Sequence, residues 1–382
     1  MSLVMTSRAR MLTAMRNGQP DCVPVAPDIS NMIPCRLTGK PFWDIYLYQD
    51  PPRWRAYLDA VRYFGFDGWL DATPVQLPHE REEAAAEPDW REAIVRRTPE
   101  RIYTRRHASI DGVDTWSETC NVYYIDNPPT RGLPLAKVGL PERAPSEWED
   151  VEPRTHYEGA EAFHEARRLM GDAGVVSLAV GLPGLNVREP ETIYEYYDDH
   201  ASAVARCREA HERIVRRTKG LLALRPDFIL IGMSGHMIAN PEPIFRELSL
   251  PTLQEVTALC RAADIPSQIH CCGPEYALVR MAAEESDLSS INPLEIPPMG
   301  DCHLAEVKQA FGGRIGLMGN LHTTQVMLMG SPADVERAAK QAIDDAAAGG
   351  GFILSTGDQC GRDTPDENIF RLVEVARTYG RY

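Results

Sequence analysis

The residues best suited to chemistry are a histidine and a cysteine two positions apart, in the run His270-Cys271-Cys272-Gly273. Successive side chains of an extended strand point to opposite sides, so His270 and Cys272 project to the same side. Imidazole nitrogen and thiolate sulfur are both zinc ligands, and the pair can therefore hold one zinc ion together. Cys271 points the other way, and we expect it in the core.

A further thiol and a carboxylate follow the last apolar segment of the chain. Residues 351–356 have the composition of a strand and lead into Gly357-Asp358-Gln359-Cys360. If this strand lies in the same sheet as the segment before His270, Asp358 and Cys360 are at the same end of the sheet. The sequence thus offers two more groups for one site.

The elements that must position these residues are short apolar segments, each followed by a helix-like stretch. The segments are Cys22–Pro27, Phe66–Asp71, Val175–Val180, Asp227–Ile231, Pro266–Ile269, Leu288–Ile291, Arg314–Met318 and Gly351–Leu354. This alternation is typical of a (β/α)₈ TIM barrel, in which the active site lies at the carboxyl ends of the strands. We therefore expect residues 1–382 to form a single barrel domain.

Three other side chains follow strands of this predicted barrel. His236 comes after the fourth strand, Glu295 after the sixth, and Asp71 ends the second. Loops after barrel strands carry function, so we expect His236 to contact substrate or serve as a further ligand. Together with Asp71 and Asp358, His236 is predicted to line the catalytic cavity.

One segment departs from the alternation. Residues 96–124 are rich in Arg, Thr, Tyr and Ile, with the turn-forming pair Asp111-Gly112 near the middle. This pattern predicts a β-hairpin inserted after the second strand. We expect the Pro-rich stretch from Asn127 to Pro153 to be a loop on the outside.

Four helices are indicated by periodicity and capping signals. Apolar residues recur at helical spacing over Ile193–Leu222, and Ser7 to Met15 is expected to form a helix at the bottom of the barrel. Ser331-Pro332 places an N-cap before a proline at the first helical position, and Thr364-Pro365 repeats the device before the final helix.

Composition narrows the functional class. The formal charge of −15 argues against a nucleic-acid surface, which needs a basic patch. The nine cysteines are an odd number scattered through a large chain, which favours reduced thiols over a disulfide scaffold. The sequence shows neither an apolar stretch of membrane-spanning length nor a signal pattern, so we expect a cytoplasmic protein without membrane association.

The order of motifs resembles the uroporphyrinogen decarboxylase superfamily over nearly the whole chain. The matching pieces are Arg8-Ala-Arg-Met-Leu-Thr-Ala-Met-Arg16, Pro20-Asp-Cys-Val-Pro24, His270-Cys-Cys-Gly273, Gly316-Leu-Met-Gly-Asn320, and Gly351-Phe-Ile-Leu-Ser355 leading to Thr364-Pro365. The resemblance implies a (β/α)₈ barrel. It also implies one of two activities: decarboxylation in the haem pathway, or zinc-dependent methyl transfer with corrinoid proteins.

The decarboxylase branch is disfavoured by the loop after the first strand. That branch carries a paired-arginine motif there, suited to a substrate with many carboxylates. This chain has only Arg36 and Lys40 in the loop, and Gly357-Asp358 stands where the decarboxylases have a histidine between glycines. This chain does retain one feature of the decarboxylase branch. Asp71 falls where the decarboxylases keep the aspartate that binds pyrrole N–H groups.

The methyltransferase branch implies a zinc site made by His-x-Cys after the fifth strand and a cysteine after the last. His270 and Cys272 match the first part, and Cys360 is the predicted third ligand. Counted back from Thr364-Pro365, however, the family's cysteine position holds Asp358, two residues before Cys360. Either Cys360 reaches the metal, or Asp358 replaces a sulfur ligand with oxygen, or the site holds no zinc.

The resulting hypothesis is a zinc-dependent methyltransferase that moves a methyl group between a corrinoid and a thiol or similar acceptor. The resemblance implies a corrinoid-protein partner, a small-molecule methyl donor or acceptor, and a possible homodimer. One alternative is decarboxylation of a tetrapyrrole or smaller carboxylate. A further alternative is a non-catalytic barrel that binds a tetrapyrrole or corrinoid.

Overall fold

The computed structural model describes residues 4–29, 31–71 and 73–382. The chain forms two compact units. The first comprises residues up to 28, residues 61–73 and residues from 163 onward, and the second comprises 29–60 and 74–162. Among the described residues, every helix is too short or too polar to cross a lipid bilayer.

The strands are numbered in chain order. They are β1 (Gly68–Leu70), β2 (Arg91–Arg97), β3 (Arg101–Ile110), β4 (Val113–Trp116), β5 (Thr119–Tyr124), β6 (Thr130–Pro134), β7 (Glu149–Asp150), β8 (Gly174–Val180), β9 (Phe228–Gly232), β10 (Ser267–His270), β11 (Ser290–Asn292), β12 (Gly316–Leu321) and β13 (Phe352–Thr356).

The helices are numbered in the same way. They are α1 (Ser7–Met15), α2 (Met32–Leu37), α3 (Phe42–Tyr46), α4 (Arg53–Phe64), α5 (Pro78–Ala85), α6 (Glu161–Met170), α7 (Pro190–Asp198), α8 (His200–Ala223), α9 (His236–Ala239), α10 (Glu242–Leu248), α11 (Leu250–Ala262), α12 (Tyr276–Glu285), α13 (Leu304–Phe311), α14 (Pro332–Ala346) and α15 (Asp366–Thr378).

The first unit is an α/β fold around a curled parallel sheet in the order β1-β8-β9-β10-β11-β12-β13. Buried β-branched and aliphatic residues fill these strands, as expected where helices cover a parallel sheet. Val25 lies beside both edge strands: it bridges Leu354 of β13 in parallel, and its carbonyl accepts a hydrogen bond from Asp67 N at 2.8 Å. The arrangement is TIM-barrel-like, and it gathers the carboxyl ends of the strands on one side.

Helix α1 covers the amino-terminal end of this sheet, and its bounds agree with the predicted Ser7 to Met15. Its residues Met11 and Met15 pack in one cluster with Val175 and Phe228, near the starts of β8 and β9. The apolar contact removes these side chains from water, which stabilises the docked helix by roughly 1.5–3 kcal/mol for each fully buried side chain.

Buried ion pairs also stabilise the amino-terminal end of the parallel sheet. The Asp67 carboxylate, whose side chain is 0% exposed, contacts Arg10 Nη1 at 2.8 Å and Arg377 Nη1 at 2.9 Å. It also accepts the Val25 N–H at 2.9 Å. Every part of the carboxylate is thus satisfied by a charge or a backbone donor, which a buried anion requires.

The second unit contains an antiparallel sheet in the order β6-β5-β3-β2-β7, with β4 paired to β3. Asp111 and Gly112, with φ of 52° and 77°, form the two-residue turn between β3 and β4, as hairpin turns of this kind require. The sheet extends well beyond the predicted hairpin at 96–124. The loop expected over residues 127–153 contains β6 and β7, because these segments pair with β5 and β2.

Two predicted helix boundaries need correction. The helix expected over Ile193–Leu222 is two helices, α7 and α8, separated at Asp199. Asp199 has φ −143° and ψ 70°, outside the helical region, and its carboxylate accepts the Ser202 N–H as an N-cap. The final helix begins after Pro365, which is its N-cap, whereas Ser331 caps α14 as predicted.

We expect Asp67→Asn to lower the free energy of unfolding by about 3–5 kcal/mol, because it removes the buried negative charge that Arg10 and Arg377 share. Urea denaturation followed by circular dichroism measures the change. Asp264→Asn is the matched control, since Asp264 pairs with Arg16 while its own side chain is 92% exposed. That control should cost no more than about 1 kcal/mol, and equal losses in the two variants would contradict the role of the buried network.

Candidate metal centre

The positions of His270 and Cys272 follow from the register of β10. His270 pairs with Gly232 of β9 on one side and with Asn292 of β11 on the other. The ladder continues past the strand end, because Cys271 N donates to Asn292 O and Met233 N donates to His270 O, each at 2.9 Å. The backbone therefore stays extended through Cys272, and alternation turns His270 and Cys272 to the same side.

The side chains of His270, Cys272 and Asp358 meet at the carboxyl end of β10. His270 Nε2 lies 3.3 Å from Cys272 Sγ and 3.9 Å from Asp358 Oδ1. One ligand atom from each residue lies within 4.8 Å of the others, the one group of this kind in the described part of the chain. All three side chains are partly buried.

The geometry fits a small cation such as zinc. Tetrahedral zinc with these ligand types sets neighbouring donor atoms about 3.3–3.6 Å apart. The His270–Cys272 separation of 3.3 Å matches this range, and the His270–Asp358 separation of 3.9 Å is slightly longer. Burial and the neighbouring Asp358 raise the pKa of the Cys272 thiol above its ordinary value, and Ser234 opposes the shift by a hydrogen bond. A cation at the centre reverses that effect, because metal binding deprotonates a coordinating thiol.

Cys360, predicted as the third ligand, lies outside this group. It is completely buried, and its thiol lies beside the hydroxyl of Thr356. Its backbone N–H donates to Asp28 O at 2.8 Å, which ties the loop after β13 to the N-terminal segment. Burial raises the pKa of the Cys360 thiol to about 12. Of the alternatives left open by the sequence, this geometry favours the one in which Asp358 stands in place of a sulfur ligand.

Neighbouring polar groups hold the loop after β10 in place. Glu295 Oε2 accepts the Gly273 N–H at 2.5 Å, directly after Cys272. Burial and the negative charge of Asp358 raise the pKa of Glu295, whereas the Gly273 N–H lowers it. The side-chain amide of Asn292 lies 3.3 Å from His270 Nδ1. This contact orients the ring so that Nε2 faces Cys272 and Asp358.

His236 follows β9, as predicted, but its ring is already hydrogen-bonded to another side chain, that of Ser249. Ser249 Oγ donates to Pro183 O at 2.7 Å, so it accepts from His236 Nε2 at 2.9 Å. Desolvation by burial lowers the pKa of His236 to about 4, and the ring is therefore neutral near pH 7. Among the described residues, His236 belongs to no group with metal-binding spacing.

Asp71 directly follows β1, at the carboxyl-end side of the sheet, and is partly buried. Its backbone carbonyl accepts a hydrogen bond from the Ser177 hydroxyl. The predicted cavity residue therefore lies on the functional side of the sheet, outside the group formed by His270, Cys272 and Asp358.

The sequence did not indicate two residues that contribute to the candidate centre, Ser234 and Asn292. Ser234 bonds to the Cys272 thiol, and Asn292 orients His270. Each stands at the carboxyl end of a strand adjacent to β10, β9 for Ser234 and β11 for Asn292. The strand order was the missing signal, because it places the ends of β9 and β11 beside β10.

The difference in proton binding between the folded and the unfolded chain predicts how His236 affects stability at different pH values. Its folded-state pKa is about 4, below its ordinary value of 6.5, so the unfolded chain binds more protons between these values. Stability should therefore fall as the pH drops from about 6.5 to 4, by up to about 3 kcal/mol from this residue. His236→Gln keeps an N–H donor without the titration, so urea unfolding at several pH values should show a shallower loss. The same slope in both proteins would contradict the assignment.

Comparisons with known proteins show what this chain is similar to. The family model described as uroporphyrinogen decarboxylase (URO-D) matches residues 214–379. The methylcobamide:CoM methyltransferase MtbA of Methanosarcina mazei is 27% identical over 137 residues, which are 35% of this chain and only 37% of that protein. A solved structure of a methyltransferase from Methanosarcina mazei shares the fold, with a TM-score of 0.66 and 16% identity over 98% of this chain and 99% of that one. Residues 214–379 thus carry a uroporphyrinogen decarboxylase family match, and the predicted resemblance to that superfamily, closer to its methyltransferase branch than to the true decarboxylases, is confirmed.

Proposed function

We propose that this chain is a zinc-dependent methyltransferase that moves a methyl group between a corrinoid and a thiol or similar acceptor. The observation that carries the proposal is the group of His270, Cys272 and Asp358 at the carboxyl end of β10. The similarity to a protein named as a methylcobamide:CoM methyltransferase supports a corrinoid-linked reaction. Zinc is the cation that suits one nitrogen, one sulfur and one oxygen donor.

Zinc held by these residues would lower the pKa of an incoming thiol and make it a nucleophile near neutral pH. His270, Cys272 and Asp358 would hold the zinc, and the corrinoid would supply the methyl group and keep the electron pair of the bond that breaks. The thiol would release its proton, and its sulfur would form the new bond to the methyl carbon. Asn292 and Glu295 hold His270 and the loop after Cys272 in place, which preserves the geometry of the centre. The oxygen of Asp358 supplies the third protein donor.

The proposal also covers the domain organisation, the partner protein and the residues that line the cavity. Residues 1–382 would act as one (β/α)₈ barrel domain, with the antiparallel sheet around 96–124 inserted after the second strand. The corrinoid would be carried by a partner protein in the cytoplasm, and Asp71 and His236 would line the cavity. His236 would do so as a neutral hydrogen-bond donor to Ser249, which fixes the wall rather than transferring protons.

The decarboxylase alternative gains no support from the loop after the first strand. Lys40, one of the two cations there, is paired with Asp50 at 3.0 Å. Its charge is therefore already offset within the second unit. A polycarboxylate substrate requires several uncompensated cations, and the paired-arginine motif is absent from the sequence.

The first test is the zinc content of the purified protein and of three variants. We expect about one zinc per chain in the wild type, and at least about tenfold weaker binding in Cys272→Ser and Asp358→Asn, because each removes a donor. Cys360→Ser should retain zinc, since that thiol is buried beside Thr356 and lies outside the group of His270, Cys272 and Asp358. Competition with a chromogenic chelator measures the affinities, and circular dichroism confirms folding.

The outcomes separate the alternatives. Loss of zinc in Cys360→Ser together with retention in Asp358→Asn would overturn the role of Asp358 and assign the third ligand to the cysteine. A wild-type protein without zinc, even after supplementation, would overturn the zinc mechanism. The metal-free decarboxylase or the non-catalytic binding barrel would then replace it.

A further inference from the structure

A pocket of about 410 Å³ lies between α13 and α14, beside the carboxyl end of β12. Its volume is within the range of about 300–1,000 Å³ that small-molecule sites occupy. The floor is apolar, and its residues Leu304, Leu321 and Ala342 are each at most 5% exposed. Val326 and Ala338, which are partly exposed, complete the apolar wall. The pocket can therefore remove the apolar body of a small ligand from water.

The pocket is separate from the candidate metal centre. Ile296, Asn320 and His322 line both the pocket and a narrow cleft, which Glu295 and Gly357 also line on the side of the centre. That cleft holds only about 20 Å³, which is room for about one water molecule. A ligand of several non-hydrogen atoms in the pocket therefore stays apart from the metal-binding group.

Hydrogen bonds hold the shared wall in place. Asn320 Nδ2 donates to Leu294 O at 2.8 Å. His322 Nδ1 accepts the backbone N–H groups of Thr324 and Gln325 at 3.1 and 3.2 Å. This nitrogen therefore carries no proton, and the ring is neutral. Because the wall is preformed, the ordering cost of binding a ligand is lowered.

The charged side chains that line the pocket are two carboxylates, Glu306 and Asp345. Among the described lining residues there is neither a lysine nor an arginine. The Glu306 carboxylate forms no ion pair with the described part of the chain. Asp345 Oδ1 accepts a hydrogen bond from the neutral amide of Gln341 at 2.8 Å. Two carboxylates at an apolar pocket, with no protein cation beside them, attract a ligand that carries positive charge.

We propose that this pocket binds a small organic ammonium ion. The apolar body of the ion packs against Leu304, Leu321 and Ala342, and its nitrogen faces Glu306 and Asp345. An anion is repelled by the same carboxylates, and a neutral compound of the same shape gains only the apolar contact. The site is additional to the proposed methyl transfer and does not rest on it, because its residues lie outside the metal-binding group.

The test is calorimetric titration of the full chain with cyclohexylammonium and cyclohexanol, which share an apolar ring and differ in charge. At low ionic strength we expect the ammonium ion to bind about tenfold more tightly. Glu306→Gln and Asp345→Asn in one protein should reduce this preference to less than about threefold, since both attracting charges are gone. Asp344→Asn is the matched control, because Asp344 accepts the Tyr379 hydroxyl at 2.8 Å and lies outside the pocket.

Ala338→Leu locates the site. Ala338 is partly exposed, so a leucine there can extend into the pocket without entering the buried core. We expect at least about fivefold weaker binding of both compounds, because the larger side chain occupies the space of the ring. Circular dichroism confirms that this variant and the others remain folded.

Equal affinity of the wild type for the two compounds would overturn the inference. An equal loss of preference in Asp344→Asn would also do so, since the preference would then reflect the net charge of −15. Binding that Ala338→Leu leaves unchanged would assign the ligand to another place. The zinc content of the same samples should be equal in the wild type and in the doubly substituted protein, and its loss would contradict the separation of the two sites.

Discussion

The backbone hydrogen bonds that carry β10 beyond its last paired residue determine the candidate centre. They keep the chain extended through Cys272, so that His270 and Cys272 face the same side while Cys271 enters the core. A slip of one residue would exchange these faces, because side chains on a strand alternate. The neighbours β9 and β11 supply both the register and the groups that orient the ligands, Ser234 and Asn292.

The amino-terminal and carboxyl ends of the parallel sheet differ in the side chains that they carry. At the amino-terminal end, Arg10 and Asp67 are buried together and fasten α1 under the strands. At the carboxyl end, polar side chains remain partly accessible and gather around His270. This separation is general for barrels, where one face carries stability and the other carries function. It allows the loops at the functional face to hold costly buried acids such as Glu295 without loosening the sheet.

Charge is distributed unevenly at the functional face. The centre combines Asp358 with the nearby Glu295 and a thiol, a set of groups that favours a cation. The pocket of about 520 Å³ at the carboxyl ends of β8 and β9 is lined by Arg188, Glu189 and Arg206. Arg206 is paired with Glu195 at 2.8 Å, so opposite charges already offset one another there.

The sequence by itself determined the main elements and half of the centre. Apolar segments at strand spacing indicated the parallel sheet, and the two-residue period placed His270 and Cys272 on one side, since both are local properties of the backbone. Only the tertiary structure placed Asp358, and not Cys360, beside His270 and Cys272. This placement depends on how the loop after β13 is tied to Asp28, a contact between residues more than three hundred positions apart. The pocket at the carboxyl ends of β8 and β9 was likewise not evident from the sequence, because its walls come from α8 and two loops that meet only in the folded chain, with Asn240 tying the two loops together.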